Sequence, residues 1–187
     1  MTDPYASGVL HKERDERLVA GLAKFSRDAG IQPYWVWTPI AELCGDAERE
    51  YLTAFRRQKN GTLRGLAYVG EENGAVLMED RMSAIAGLLT RNYVRARLIT
   101  VGVLLERIAA GDTPDHDCLL IPNFYMRKTD GGGIAPWQVA ALCDLLLQRA
   151  ASGQQTIVFV GSMTGLEAQY GPSCAALIKT RFLQINV

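Results

Sequence analysis

The feature that most constrains the fold of this chain is the alternation of short apolar runs with helix-like segments from residue 65 onward. Each run is almost continuously apolar, which is typical of strands that are buried on both faces. Strands that alternate with helices predict a parallel sheet covered by helices on both sides. The sequence therefore predicts a three-layer α/β sandwich with five parallel strands, at 65–69, 96–101, 118–124, 156–161 and 182–187. The helices of this part are predicted at 80–93, 103–110, 136–151 and 173–181.

The part of the chain that precedes this α/β core predicts a helical extension. Apolar residues share one face of a predicted helix at 11–29, and charged residues occupy the other face. A second helix is predicted at 39–58, after a segment in which prolines interrupt any regular pattern. The expected organisation is an extension at 1–60 that packs on a core at 61–187.

The overall charge of the chain does not favour binding to a polyanion, because 20 Lys and Arg residues are balanced by 20 Asp and Glu residues. Local basic patches can still bind DNA. The two candidate patches are Arg56, Arg57, Lys59 and Arg64, and then Arg91, Arg95 and Arg97. The alternative for both patches is an ordinary solvated surface.

Composition also argues against several classes of protein. The four cysteines form no C-x-x-C pair and there are only two histidines, so no metal site is predicted. The polar N-terminus has no apolar core of a signal peptide, and no apolar run approaches the roughly 20 residues of a membrane span. A cytoplasmic protein without a membrane partner is the expectation.

A glycine-containing loop follows the first predicted strand and precedes a helix, as in a phosphate-binding loop. Such a loop needs G-x-x-x-x-G-K-[ST], but here valine takes the place of the lysine and leucine that of the hydroxyl residue. Two glutamates also lie in the loop, and a carboxylate 5 Å from a phosphate costs about 3 kcal/mol at an effective dielectric constant of 20. The positions of this degenerate nucleotide loop are Gly70, Glu71, Glu72, Asn73, Gly74, Val76 and Leu77.

The third predicted strand also lacks the residues that ATP hydrolysis requires. In a P-loop ATPase this strand ends in an acid that holds magnesium. Here Pro122 and Asn123 follow the apolar run, and neither supplies a carboxylate. Asp115 and Asp117 precede the strand, at its far end from the expected ligand crevice.

Taken in order, these segments resemble the AAA+ core of the DnaC/IstB family of helicase loaders and transposition helpers. LRGLAYVG resembles the strand that enters the phosphate loop, DCLLIPNF the strand of the magnesium-binding acids, and QQTIVFVGSM the sensor strand. The resemblance covers about two thirds of the chain. The core at 61–187 is expected to lack the C-terminal lid of the family. It implies sensor-like roles for Ser162 and Arg181, the latter reaching a nucleotide of its own or of a neighbouring subunit.

The departures from the family pattern imply that hydrolysis is lost and that the protein binds a partner without a cofactor. The resemblance implies a replicative helicase, a related ATPase or single-stranded DNA as that partner, and it allows a homo-oligomer. Arg127 and Lys128 follow the third strand and are suitably placed for DNA, with Tyr125 available for stacking. Solvent exposure or core packing is the alternative for these three residues.

Two enzymatic interpretations remain beside this one. The first is an ATPase whose non-standard site is completed by an oligomeric partner. The second, a serine hydrolase, is disfavoured because G-S-M-T-G around Ser162 is one residue out of the G-x-S-x-G register and His116 lies at the opposite edge of the predicted sheet. A plain DNA-binding module is a further hypothesis, and it predicts a steep salt dependence of affinity.

Overall fold

The computed structural model describes residues 3–58, 61–71, 77–125 and 134–187. The α/β part contains the strands β1 (Gly65–Val69), β2 (Ala96–Leu98), β3 (Cys118–Tyr125), β4 (Gln155–Val160) and β5 (Phe182–Asn186). Its helices are α5 (Met78–Arg91), α6 (Val101–Ala109), α7 (Pro136–Ala151), α8 (Met163–Tyr170) and α9 (Pro172–Arg181). Before them come α1 (Lys12–Ala20), α2 (Leu22–Ala29), a 3₁₀ helix (Pro33–Trp37), α3 (Asp46–Thr53) and α4 (Phe55–Gln58).

The five strands form one parallel sheet in the order β2-β3-β4-β1-β5, which confirms the predicted fold class. The inner strand β1 begins in register with its two neighbours, because Gly65 pairs with Thr156 of β4 and with Phe182 of β5. All strands therefore end at the same edge of the sheet, and the loops that follow them lie along this carboxyl edge.

The inner strands β3, β4 and β1 are buried on both faces, which explains why they are almost continuously apolar in sequence. Alternate residues of each strand enter two different clusters: Ala67 and Val158 contribute to one face, and Leu66 and Ile157 to the other. The first face is covered by α6, α7, α8 and α9. The second face is covered by α5 together with α3 and α4.

The helices of the N-terminal part differ from the prediction in two places. The predicted helix at 11–29 is interrupted at Gly21, which ends α1 and precedes α2. The predicted helix at 39–58 begins only at Asp46, because the chain before it forms the 3₁₀ helix and an irregular segment. That 3₁₀ helix lies directly on α5 at Gly87, where a side chain would collide with the carbonyl of Trp35. Gly87 thus permits the close contact between α5 and the 3₁₀ helix, which the hydrophobic pattern of the sequence does not predict.

Two further elements of the α/β part were predicted incorrectly. The strand predicted at 96–101 ends at Leu98, because α6 begins at Val101. The helix α8 was not predicted, since its short sequence contains Gly165 and is followed by a Gly-Pro pair. In the structure α8 buries Leu166 against the α7 side of the sheet.

Candidate functional site

The loop after β1 begins at Gly70, whose backbone is held between two neighbouring strands. Its N–H donates to the carbonyl of Val160 at 3.1 Å, and the carbonyl of Val187 lies where a side chain of residue 70 would be. Its φ of +134° is a conformation that glycine adopts readily. Glycine is therefore required at this point by local geometry. Four of the predicted loop positions lie outside the described residues: Glu72, Asn73, Gly74 and Val76.

Leu77, at the position of the expected hydroxyl residue, is the N-cap of α5 and is 59% exposed. A leucine has no side-chain oxygen to accept a hydrogen bond from the first helical amides. Glu79 and Asp80 lie in the first turn, where their carboxylates interact favourably with the positive end of the helix dipole. The positive charge at the N-terminus of α5, which would attract a phosphate, is thus already balanced by Glu79 and Asp80.

The end of β3 carries a helix cap where the resemblance predicts an acid. The β3–β4 ladder is regular up to Ile121 and shifts before Tyr125. Pro122 lies in this irregular segment, which tolerates the missing N–H of proline. The Oδ1 of Asn123 accepts a hydrogen bond from the N–H of Val101 at 2.9 Å and so caps the first turn of α6.

The end of β4 carries a second cap. Ser162 is the N-cap of α8, and its Oγ accepts a hydrogen bond from the N–H of Gly165 at 3.1 Å. Asn123 lies near the end of β3 and Ser162 follows the adjacent strand β4, and each side-chain oxygen accepts a hydrogen bond from the first turn of the helix that it caps.

Arg181 lies at the edge of the sheet opposite the glycine loop. It ends α9 and precedes β5, and its carbonyl accepts a hydrogen bond from the N–H of Arg64 at 2.7 Å. This contact lies at the amino edge of the sheet, and the length of β1 separates it from Gly70 by roughly 17 Å. The role of Arg181 at a nucleotide, whether of its own chain or of a neighbouring subunit, stays a prediction.

The three arginines predicted to form a DNA-binding patch differ in their surroundings. Arg91 is half-buried and donates to two carbonyls at the end of the 3₁₀ helix, and burial lowers its pKa. Arg97 donates to two carbonyls at the end of α2. Arg95 is more exposed and forms ion pairs of 3.7 Å with two aspartates that precede β3. A DNA-binding role stays a prediction, but Arg91 and Arg97 already hold the N-terminal part in place.

Tyr125 is not placed to stack on a base. Its side chain is buried, and its ring lies edge-on to that of Tyr170 with centroids 5.6 Å apart. Burial on the face of α8 removes the free ring surface that base stacking needs. Arg127 and Lys128 lie outside the described residues.

A buried polar cluster lies behind the first turn of α5. Glu48 of α3 accepts hydrogen bonds from the hydroxyl of Tyr68 at 2.6 Å and from the N–H of Gly45. The guanidinium of Arg81 lies 3.6 Å from the same carboxylate and over the ring of Tyr68. Burial and the adjacent carboxylate raise the pKa of Tyr68 far above its ordinary value. The cluster fastens α3 to both β1 and α5.

Sequence reasoning did not identify this cluster, although a signal was present. Glu48, Leu52 and Phe55 follow each other at spacings of four and three residues, so they share one face of a helical segment. An acid on an apolar face indicates a buried partner. The partners come from distant parts of the chain, and only the fold identifies them.

Comparison with known proteins supports the fold and nothing finer. No protein-family profile matches the chain, and no curated protein sequence matches it. The crystal structure of the DnaC helicase loader is similar, with a TM-score of 0.52, 13% identity, and coverage of 75% of this chain and 89% of that one. The crystal structure of DnaI aligns with a TM-score of 0.49, 14% identity, and coverage of 80% of this chain and 91% of that one. The chain therefore has an α/β fold similar to that of the DnaC helicase loader structure.

Among the helices that the structure describes, none combines the length and the apolar character needed to cross a bilayer.

Proposed function

We propose that this protein is a helicase-loader-like P-loop protein that does not hydrolyse ATP and that acts by binding a replicative helicase or a related ATPase. The observation that carries the proposal is the use of Asn123 and Ser162 as helix caps. Each stands at the end of a central strand, where the resemblance places a catalytic or sensor group, and each is bound within the fold instead.

The electrostatics of the loop support the same proposal. A triphosphate needs positive charge, but the sequence places Val76 at the lysine position and carboxylates on both sides of it. Glu79 and Asp80 occupy the first turn of α5, so a phosphate approaching this helix meets like charges. Loss of the cation and of the acid at the end of β3 removes both the binding and the chemical contributions to catalysis.

The first test is a phosphate-release assay of the intact chain with magnesium and ATP. We expect a rate equal to that of buffer alone. Magnesium-dependent turnover that the paired E71A/E72A substitution abolishes would contradict the proposal, because the two acids would then be part of a working site. Turnover that appears only after addition of a hydrolysis-deficient helicase would favour an ATPase site completed in trans.

The second test concerns the partner. Purified chain and the replicative helicase of the same cell are mixed and analysed by size-exclusion chromatography with light scattering. The proposal predicts a complex whose mass does not depend on ATP. A helicase and a chain that elute separately at micromolar concentrations would exclude this partner.

A further inference from the structure

A groove of about 650 Å³ lies between α2 and the turn that joins α5 to β2, at the amino edge of the sheet. This volume is within the range of about 300–1,000 Å³ that is usual for sites of small organic ligands. The glycine loop lies at the carboxyl edge, so the groove is a separate site. The groove raises the question of which ligand its lining fits.

Tyr93 is exposed at this groove in a backbone conformation that is unfavourable for tyrosine. It follows the C-cap of α5 with a φ of +57°, and the N–H groups of Tyr93 and Val94 bond back to the carbonyls of Thr90 and Leu89, both at 2.9 Å. This helix-ending motif usually has glycine at the position of Tyr93. The residue is 62% exposed, so core packing does not account for its conformation. Strained residues cluster at ligand sites, and the exposed ring of Tyr93 is accessible to a ligand.

Basic side chains outnumber acidic ones in the lining of the groove, although the whole chain has no net charge. Four basic side chains and one acidic side chain contribute to it, namely Lys24, Arg27, Arg95, Arg97 and Asp28. Lys24 and Arg27 are exposed on α2. Arg95 is 57% exposed, and its ion pairs with Asp115 and Asp117 are long enough to be weak in solvent. The groove therefore attracts an anion.

Thr90 supplies a polar group that the protein leaves without a partner. The residue is 8% exposed and lines the groove, and its buried Oγ1 has no hydrogen-bond partner among the described residues. A buried hydroxyl without a partner is costly and rare in native proteins. A ligand atom in the groove can satisfy it.

We propose that this groove binds a nucleotide unit, with the base on the ring of Tyr93 and the phosphate against Lys24, Arg27 and Arg95. An exposed aromatic ring beside basic side chains is the arrangement that binds single-stranded nucleic acid. An acidic peptide would use the cations but would leave the strained tyrosine unexplained. The inference does not depend on the proposed loss of ATP hydrolysis.

The test measures binding of a fluorescent thymidine oligonucleotide of about ten residues, a length within the site sizes common for single strands. With the intact chain we expect saturable binding that Tyr93→Gly weakens by roughly fivefold or more, since stacking contributes about 1–3 kcal/mol per base. Glycine suits the backbone at this position, so the variant should melt no earlier than the wild type. The matched control is Tyr34→Ala, which removes an aromatic ring that is 47% exposed outside the groove.

A second readout is the salt dependence of the affinity. Removing Lys24 and Arg27 together, by substitution with glutamine, should lower the slope of log K against log salt by about 1.4, which corresponds to two phosphate contacts on a single strand. Lys179→Gln serves as the charge control, because Lys179 pairs with Glu167 away from the groove.

Competition identifies the source of the nucleotide unit. If unlabelled oligonucleotide displaces the fluorescent probe at lower concentration than thymidine monophosphate does, the ligand is single-stranded nucleic acid. If the two compete equally well, the ligand is a free nucleotide. The proposal is overturned if the oligonucleotide does not bind, if Tyr93→Gly binds as well as the wild type, or if polyglutamate competes equally well. None of these outcomes changes the expected rate of ATP hydrolysis, so the two proposals fail independently.

Discussion

At the scale of single residues, Leu77 illustrates how the loop has departed from a phosphate-binding loop. It begins α5 with an exposed apolar side chain, where a hydroxyl residue would both cap the helix and face a nucleotide. Its side chain supplies no hydrogen-bond acceptor for the amides of the first turn of α5. Stability at this residue has therefore not been optimised, and a substitution can improve it.

We predict that Leu77→Ser stabilises the protein by about 1 kcal/mol, because serine accepts a hydrogen bond from an amide of the first turn. Urea unfolding at neutral pH measures the change. Leu77→Ala is the control, since it removes the same apolar surface without adding a cap. If the serine variant were no more stable than the alanine variant, the N-cap assignment would be wrong.

At the scale of elements, Arg149 holds three segments together at the amino edge of the sheet. It is 2% exposed at the end of α7, and it donates to the carbonyls of His116 at 3.0 Å and Gln155 at 2.7 Å. It also donates to the hydroxyl of Thr156 at 3.1 Å. Burial lowers the pKa of its guanidinium to about 10. One planar cation thus joins α7, the start of β4 and the segment before β3.

We predict that Arg149→Lys destabilises the protein by about 2–4 kcal/mol, because an ammonium group cannot reproduce the planar set of donors and leaves buried carbonyls without partners. Equilibrium urea unfolding checks this value. The control is Arg107→Lys, since Arg107 forms a surface ion pair with Asp112 and should change stability by less than about 1 kcal/mol. Equal effects of the two substitutions would show that Arg149 is not a structural centre.

At the scale of the whole molecule, the N-terminal part packs as a component of the core. Tyr51, Leu52 and Phe55 belong to the same apolar cluster as the residues of β1 and β4. The hydroxyl of Tyr51 also donates to Oε1 of Gln155 at 2.7 Å, across 104 residues of sequence. We infer that residue 60 marks a change of architecture, not the limit of an independent folding unit.

We predict that a chain reduced to residues 61–187 does not unfold cooperatively, because one face of its sheet would lose α3 and α4 and expose apolar surface. Circular dichroism during thermal and urea unfolding tests this. Removal of residues 1–4 alone is the control and should preserve the cooperative transition. A shortened core with a sharp transition near that of the full chain would restore the original division into extension and core.

The sheet and most of its helices could be predicted because burial on two faces leaves a direct trace in the sequence. Apolar runs indicated all five strands, although only those of the inner strands are nearly continuous, and amphipathic spacing indicated α5 and α7. The helix α8 and the 3₁₀ helix were missed, since glycine and proline conceal short helices whose stability comes from packing. The absence of a lysine at residue 76 was likewise evident from the sequence alone.

The sequence by itself thus determined the fold class and the missing charges of the glycine loop, because both depend on residue type and local order. Only the tertiary structure decided what the polar side chains do. In the folded chain Asn123 caps α6, and Arg181 lies at the edge of the sheet opposite the glycine loop. Tyr93 lies beside Lys24 and Arg27 of α2. The reason is physical: a hydrogen bond or an ion pair depends on distances of a few ångströms between residues that lie far apart in the chain.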